Sequence, residues 1–146
     1  MLKTSMVGRI AAGAAALAAG ATTIVAGPTA ALAADVNPYS ASALCGSGYS
    51  VVDYFKDDGR AYIYLLYNSG NGKNCVVSLK QKQLGSKTHV SAVLQTKATV
   101  KVDSGNYGYY AGPVYLYARN ECVSFGGEVT VNGELSVYSS DFRYCG

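Results

Sequence analysis

Apolar and polar residues alternate with a period of two along most of the chain beyond residue 50, as in β-strands that turn one face to a core. The alternating apolar positions form five runs: Ala61, Ile63, Leu65 and Tyr67; Cys75, Val77 and Leu79; Val90, Ala92 and Leu94; Ala98, Val100 and Val102; Val114, Leu116 and Ala118. Beyond the leader, no segment repeats apolar residues at helical spacing for three turns. The pattern predicts an all-β fold, a compact small β-sandwich or barrel of about eight to ten short strands.

The first predicted hairpin turns at Asp57-Asp58-Gly59. A three-residue loop there places Phe55 opposite Ala61, and it puts Gly third, where a left-handed residue is needed. A two-residue loop would instead pair apolar with polar faces. The preferred register leaves Asp53 on the apolar face opposite Ile63, so we expect its carboxylate to be hydrogen-bonded or near the rim of the core.

The last predicted hairpin contains Asn132-Gly133, a dipeptide typical of tight two-residue turns. Such a turn would pair Val131 with Glu134. Matching the apolar faces instead places Val131 opposite Leu135 and needs a three-residue loop. We favour the three-residue loop on this criterion.

The first 33 residues have the order of regions found in secretory signal peptides. Lys3 and Arg9 precede an apolar run over 10–26, Pro28 interrupts it, and Ala31-Leu32-Ala33 follows as a small-x-small cleavage site. A transmembrane anchor is the alternative, because the run approaches the roughly 17–25 residues that span a bilayer. Its Ala and Gly residues are only weakly apolar, however, and no basic cluster follows it.

The leader therefore divides the chain into three parts. We expect a helical signal peptide at 1–33, cleaved after Ala33, a flexible lead-in at 34–44 and a single all-β domain at 45–146. Removing Lys3 and Arg9 lowers the formal charge from +3 to about +1, with 10 basic and 9 acidic residues left. No run of Lys or Arg could then neutralise a row of phosphates, so we expect neither nucleic acid nor, after cleavage, a membrane as a partner.

All four cysteines, Cys45, Cys75, Cys122 and Cys145, follow the leader. An even number of cysteines in an exported chain predicts two disulfides. Zinc is the alternative, but its ligands usually come in pairs two to four residues apart, unlike these. Three pairings are possible. If the first three strands form a meander, Cys45 and Cys75 lie at the same end of the sheet, which favours Cys45 with Cys75 and Cys122 with Cys145.

Residue types that carry out catalysis are few, and none lies in a sequence context typical of an active site. His89 is the only histidine and lies on the polar face of its strand, where we expect a solvated side chain. Asp57 and Asp58 could form a carboxylate pair for glycoside hydrolysis, but neighbouring residues in a Gly-ended turn are better explained by the turn itself. The Asn- and Gly-rich segment 68–74 lacks the residue spacing of a calcium or phosphate loop. We predict no enzyme activity, no catalytic residues, no metal and no cofactor.

Tyrosine is abundant, with 13 residues and no tryptophan. Tyr62 and Tyr64 alternate outward on one strand and Tyr115 and Tyr117 on another, with Tyr54 a further candidate. If the two strands share a sheet face, the four side chains form a candidate binding face for a polysaccharide or a protein partner, because tyrosine offers a large contact area with a polar tip. The alternative is a second, half-buried face without a ligand, since tyrosine also favours strands.

Several stretches resemble the spore-associated protein A family of filamentous, spore-forming soil bacteria. They lie at 45–53, 67–77, 103–115 and 145–146 and include the sequences CGSGYSVVD, GKNCVV and AGPVY. The resemblance spans nearly the whole predicted domain and retains all four cysteines. One departure is Phe125 before Gly126-Gly127, where relatives often carry Trp. The resemblance implies export and association with the spore or aerial-cell surface, and it implies no catalytic residues.

The leading functional hypothesis is a secreted, non-catalytic protein of the spore or cell surface whose mechanism is unknown. Its partners would be a spore or wall polymer or other surface proteins. A polysaccharide-binding module that uses the tyrosine face is one alternative. A secreted protease inhibitor is another, because Asn120-Glu121-Cys122 faintly resembles subtilisin-inhibitor-like proteins of similar size. The sequence does not indicate the ligand or the oligomeric state.

Overall fold

The computed structural model describes residues 36–145, so the predicted signal peptide lies outside the described residues. The described chain forms one short helix and eight strands: α1 Ala41–Cys45, β1 Ser50–Asp57, β2 Ala61–Asn68, β3 Lys73–Lys80, β4 Thr88–Gln95, β5 Val100–Tyr107, β6 Tyr110–Tyr117, β7 Ser124–Val131 and β8 Glu134–Ser139. These elements confirm the all-β prediction.

The strands form two antiparallel four-stranded sheets. Sheet A has the order β1-β2-β3-β6, and sheet B has the order β5-β4-β7-β8. The chain crosses between the sheets after β3, β5 and β6. The main core lies between the sheets, because buried residues of both belong to one apolar cluster that includes Leu65 and Val76 of sheet A and Leu94 and Phe125 of sheet B. The protein is therefore a β-sandwich.

The N-terminal segment packs against the outer face of sheet A instead of forming the loose lead-in expected for 34–44. The side chain of Asn37 is buried and donates hydrogen bonds to the carbonyls of Lys80 and Tyr109, at 2.8 and 2.9 Å. Ser40 caps the start of α1 by accepting a hydrogen bond from the backbone N–H of Ala43. Ala41 and Cys45 of the helix are buried against Leu66, Cys75, Val77 and Leu79 of the sheet.

Both disulfides join the cysteines favoured by the meander geometry. Cys45 is bonded to Cys75, which ties the end of α1 to β3. Cys122 is bonded to Cys145, which ties the end of the chain to the segment before β7. Each bridge closes a loop of 23 or 30 residues and contributes roughly 3.5 kcal/mol through loss of unfolded-chain entropy.

The first hairpin keeps the predicted faces but shifts the loop by one residue. Asp57 pairs with Ala61 and Phe55 with Ile63, so the three-residue loop is Asp58 to Arg60. A bulge at Val52 then turns Val51 toward the outer face of the sheet, whereas Asp53 stays on the inner face opposite Leu65. The apolar side of the hairpin was therefore predicted correctly although the pairing was not.

The last hairpin contradicts the predicted three-residue loop. Val131 pairs with Glu134, and Asn132 and Gly133 form a two-residue turn with φ of 53° and 79°. Both residues have the positive φ of a type I′ turn. Face matching failed because β8 is an edge strand that turns Ser136 and Tyr138 inward and leaves Leu135 and Val137 exposed.

Strand β5 also shows its apolar side to solvent. Val100 and Val102 are more than half exposed. The next residue, Asp103, pairs with the buried Ala92 and turns toward the core instead. The Asp103 carboxylate accepts hydrogen bonds from the Tyr107 hydroxyl at 2.6 Å and the Gly112 backbone N–H at 2.7 Å. These two donors satisfy a carboxylate that would otherwise be costly to turn inward.

Candidate functional site

The four tyrosines of the predicted binding face lie on one face of one sheet but do not form a continuous surface. Tyr62 and Tyr64 of β2 and Tyr115 and Tyr117 of β6 all point to the outer side of sheet A, as the pairing through β3 requires. Helix α1 packs on β3 between them. The helix therefore divides the predicted face into two parts.

On the β6 side, Tyr115 is engaged within the protein. Its hydroxyl donates to the carbonyl of Cys45 at 2.9 Å and lies 3.4 Å from that of Leu44, at the end of α1. Its ring is 5.6 Å from the ring of Tyr49. Burial, and secondarily the neighbouring Tyr49, raises the pKa of Tyr115. Tyr115 therefore holds the helix on the sheet, whereas Tyr117 is 56% exposed.

On the β1–β2 side, Tyr54, Tyr62 and Tyr64 form a compact group, called here the tyrosine cluster. Their ring centroids are 5.7 to 6.1 Å apart, and Tyr54 pairs directly with Tyr64 across the two strands. The ammonium group of Lys56 lies 5.8 Å from the centre of the Tyr62 ring. Burial first, and then the neighbouring Tyr62 and Tyr54, raises the pKa of Tyr64.

A groove of about 370 Å³ runs between this cluster and the N-terminal segment. We call it the α1 groove. Its apolar and aromatic lining includes Tyr39, Tyr62, Tyr64 and Leu79, and its polar lining includes Ser40, Ser42 and Gln81. Sequence reasoning missed the groove, because one of its walls is the segment that was expected to be a flexible lead-in.

Three further candidate residues, His89, Asp57 and Asp53, have partners within the protein. His89 lies 2.7 Å from Glu128, so it is ion-paired when protonated rather than simply solvated. Asp57, the last residue of β1, contacts Arg60 at 3.1 Å and accepts a hydrogen bond from Ser136 of β8. Asp53 accepts hydrogen bonds from the Tyr144 hydroxyl and the Tyr54 backbone N–H, which confirms that it is satisfied.

The described residues contain neither a metal-binding group nor a membrane-spanning helix. Between residues 36 and 145, no group of three or more His, Cys, Asp or Glu residues could hold a metal ion. No helix in that range is long and apolar enough to cross a membrane.

Comparison with known proteins finds a relative by sequence. No protein-family model and no solved structure matches the chain. Over 92 residues it is 39% identical to spore-associated protein A of Streptomyces coelicolor. The match covers 62% of this chain and 59% of that relative, so the chain spans less than two thirds of the relative's length. Over the matched 92 residues this protein is similar to spore-associated protein A, as its residues indicated.

Proposed function

We propose that this protein is a secreted, non-catalytic protein of the spore or cell surface, and that the tyrosine cluster and the α1 groove attach it to a wall polysaccharide. The relative's name associates that protein with spores. The main support for attachment to a polysaccharide is that Tyr54, Tyr62 and Tyr64 cluster beside a groove that also contains hydroxyl and amide groups.

Aromatic rings suit polysaccharides because the C–H face of a sugar can lie on a ring while its hydroxyls bond to polar groups nearby. Tyr62 and Tyr64 stand nearly parallel at an interplanar angle of 21°, and both line the groove. Ser42 and Gln81 supply hydroxyl and amide groups within the same groove. A concave site with an apolar surface and a few polar groups is the usual form of a small-ligand site.

Sedimentation with insoluble peptidoglycan, chitin and cellulose tests this proposal. We expect the wild-type protein to pellet with at least one of these polymers. The double substitution Tyr54→Ala and Tyr62→Ala removes two rings of the cluster and should weaken binding about tenfold or more. Tyr115 is left intact because its hydroxyl holds α1.

Tyr117→Ala is the matched control, because Tyr117 is 56% exposed and Tyr54 is 55% exposed, but Tyr117 lies on the other side of α1. It should bind as the wild type does, and circular dichroism should show that both variants are folded. Failure of the wild type to bind any of the three polymers, or equal losses in the two variants, would exclude this mode of attachment.

A further inference from the structure

The tyrosine cluster brings phenol rings together where an oxidant can reach them. Tyr54 and Tyr64 are a directly opposed pair on β1 and β2, with ring centroids 5.8 Å apart and an angle of 33° between the rings. Tyr54 is 55% exposed, and β1 is an edge strand of its sheet. The two rings are therefore adjacent on the outer face of sheet A.

The composition of the chain directs oxidation to tyrosine. It has no tryptophan, and its two methionines, Met1 and Met6, lie in the predicted signal peptide. All four cysteines are in disulfides, which removes the thiols that would otherwise be oxidised first. Among the side chains of residues 36–145, phenols are therefore the most readily oxidised by one electron.

We propose that Tyr54 and Tyr64 form an oxidative coupling site at which a peroxide, used by a haem peroxidase, joins β1 covalently to β2. Each phenol loses one electron and one proton and becomes a phenoxyl radical. The two radicals form a carbon–carbon bond between ring positions beside their oxygens, and transfer of the two ring protons through solvent to those oxygens restores both aromatic phenols. Overall, one molecule of hydrogen peroxide takes up the two hydrogen atoms and becomes two molecules of water.

The cluster favours this bond over a link between molecules. The radical partner is already in place on the neighbouring strand, so coupling requires no encounter with a second chain. Tyr117 provides the comparison: it is as exposed as Tyr54 but contacts no other aromatic ring within residues 36–145. The link would fix an edge strand of a surface protein, and it does not depend on whether the groove binds a polysaccharide.

Peptide mapping after treatment with peroxidase and hydrogen peroxide tests the proposal. Trypsin cuts after Lys56 and Arg60, so Tyr54 and Tyr64 fall in different peptides once the disulfides are reduced. We expect the folded monomer to yield these two peptides joined, with the loss of two hydrogen atoms and the blue fluorescence of dityrosine. Fragmentation should place the link at Tyr54 and Tyr64.

Tyr64→Phe should abolish the joined peptide, and Tyr117→Phe should leave its yield unchanged. Unfolding the protein in urea before oxidation should also abolish it, because the pairing depends on the hairpin. The assignment is overturned if the joined peptide persists in Tyr64→Phe, if its yield falls equally in Tyr117→Phe, or if the wild type yields only links between molecules.

Discussion

Lys80 is the residue whose environment differs most from its sequence pattern. Lys80 follows Leu79, the last apolar position of its alternating run, so the pattern predicts a side chain on the polar face, yet Lys80 is fully buried. Its ammonium group donates to the carbonyls of Ser86 at 2.6 Å and Gln83 at 3.1 Å, and it lies 3.5 Å from that of Tyr107. Burial lowers the pKa of Lys80 from 10.5. The cation thus binds the segment between β3 and β4 to the sandwich.

Lys80→Met should lower the free energy of unfolding by about 1–3 kcal/mol, because buried carbonyls lose their donor. Urea unfolding measures the change, and Lys82→Met is the control because Lys82 is exposed, with a change of about 0.5 kcal/mol or less. A Lys80→Met protein as stable as the wild type would show that the apolar replacement offsets the lost bonds.

The pH dependence of the unfolding free energy, compared between the wild type and Lys80→Met, gives a second test. Because the folded pKa of Lys80 lies below its unfolded value, the unfolded chain binds more protons between the two. The wild type should therefore gain stability relative to Lys80→Met as pH rises through that window toward 10.5. A difference that stays constant or shrinks with pH would contradict the buried cation.

Among the elements, the packing of β7 depends on the adjacent glycines Gly126 and Gly127. A Cβ atom on Gly127 would stand 2.2 Å from the carbonyl oxygen of Ser91 and 2.6 Å from the Ser78 hydroxyl oxygen of the other sheet. The absence of a side chain therefore allows β7 to approach both β4 and sheet A. Phe125 on the same strand fills the core beside Tyr138, with ring centroids 5.4 Å apart.

Gly127→Ala should cost about 1–3 kcal/mol of unfolding free energy or more, because backbone must move to admit the methyl group. Gly105→Ala is the comparison: its Cβ would meet only the far end of the Tyr107 side chain on an edge strand, so the loss should be smaller. Thermal unfolding followed by circular dichroism compares the two. A larger loss for Gly105→Ala would mean that close packing at Gly127 does not limit the sandwich.

The sequence predicts strands more reliably than it predicts which side of a strand is buried. Alternation located the strands, and Val90, Ala92 and Leu94 do lie in the core. It failed for Val102, because the neighbouring Asp103 turns inward and accepts a hydrogen bond from the Gly112 N–H of β6, in the other sheet. Alternation also failed for β3, which is buried on both faces. Val76 faces the main core, whereas Cys75, Val77 and Leu79 lie under α1, and the local sequence does not show that a helix covers that face.

At the scale of the whole molecule, the candidate surface is built from segments distant in sequence. The Cys45–Cys75 bridge, the Tyr115 hydrogen bond and the buried Asn37 side chain hold the N-terminal segment on sheet A. That segment supplies one side of the α1 groove, and the β1–β2 hairpin supplies the tyrosine cluster. The sequence indicated outward-facing tyrosines, but their division by α1 depends on tertiary packing that alternation does not reveal.

Fractionation of spores from the organism that encodes the protein tests the central claim, attachment through the tyrosine cluster. Wild-type, Tyr54→Ala/Tyr62→Ala and Tyr117→Ala proteins would each be expressed in place of the native one, and the amounts on washed spores and in the medium measured. We expect the wild-type and Tyr117→Ala proteins on the spores and the double variant mainly in the medium. A double variant retained on the spores as fully as the wild type would contradict the account.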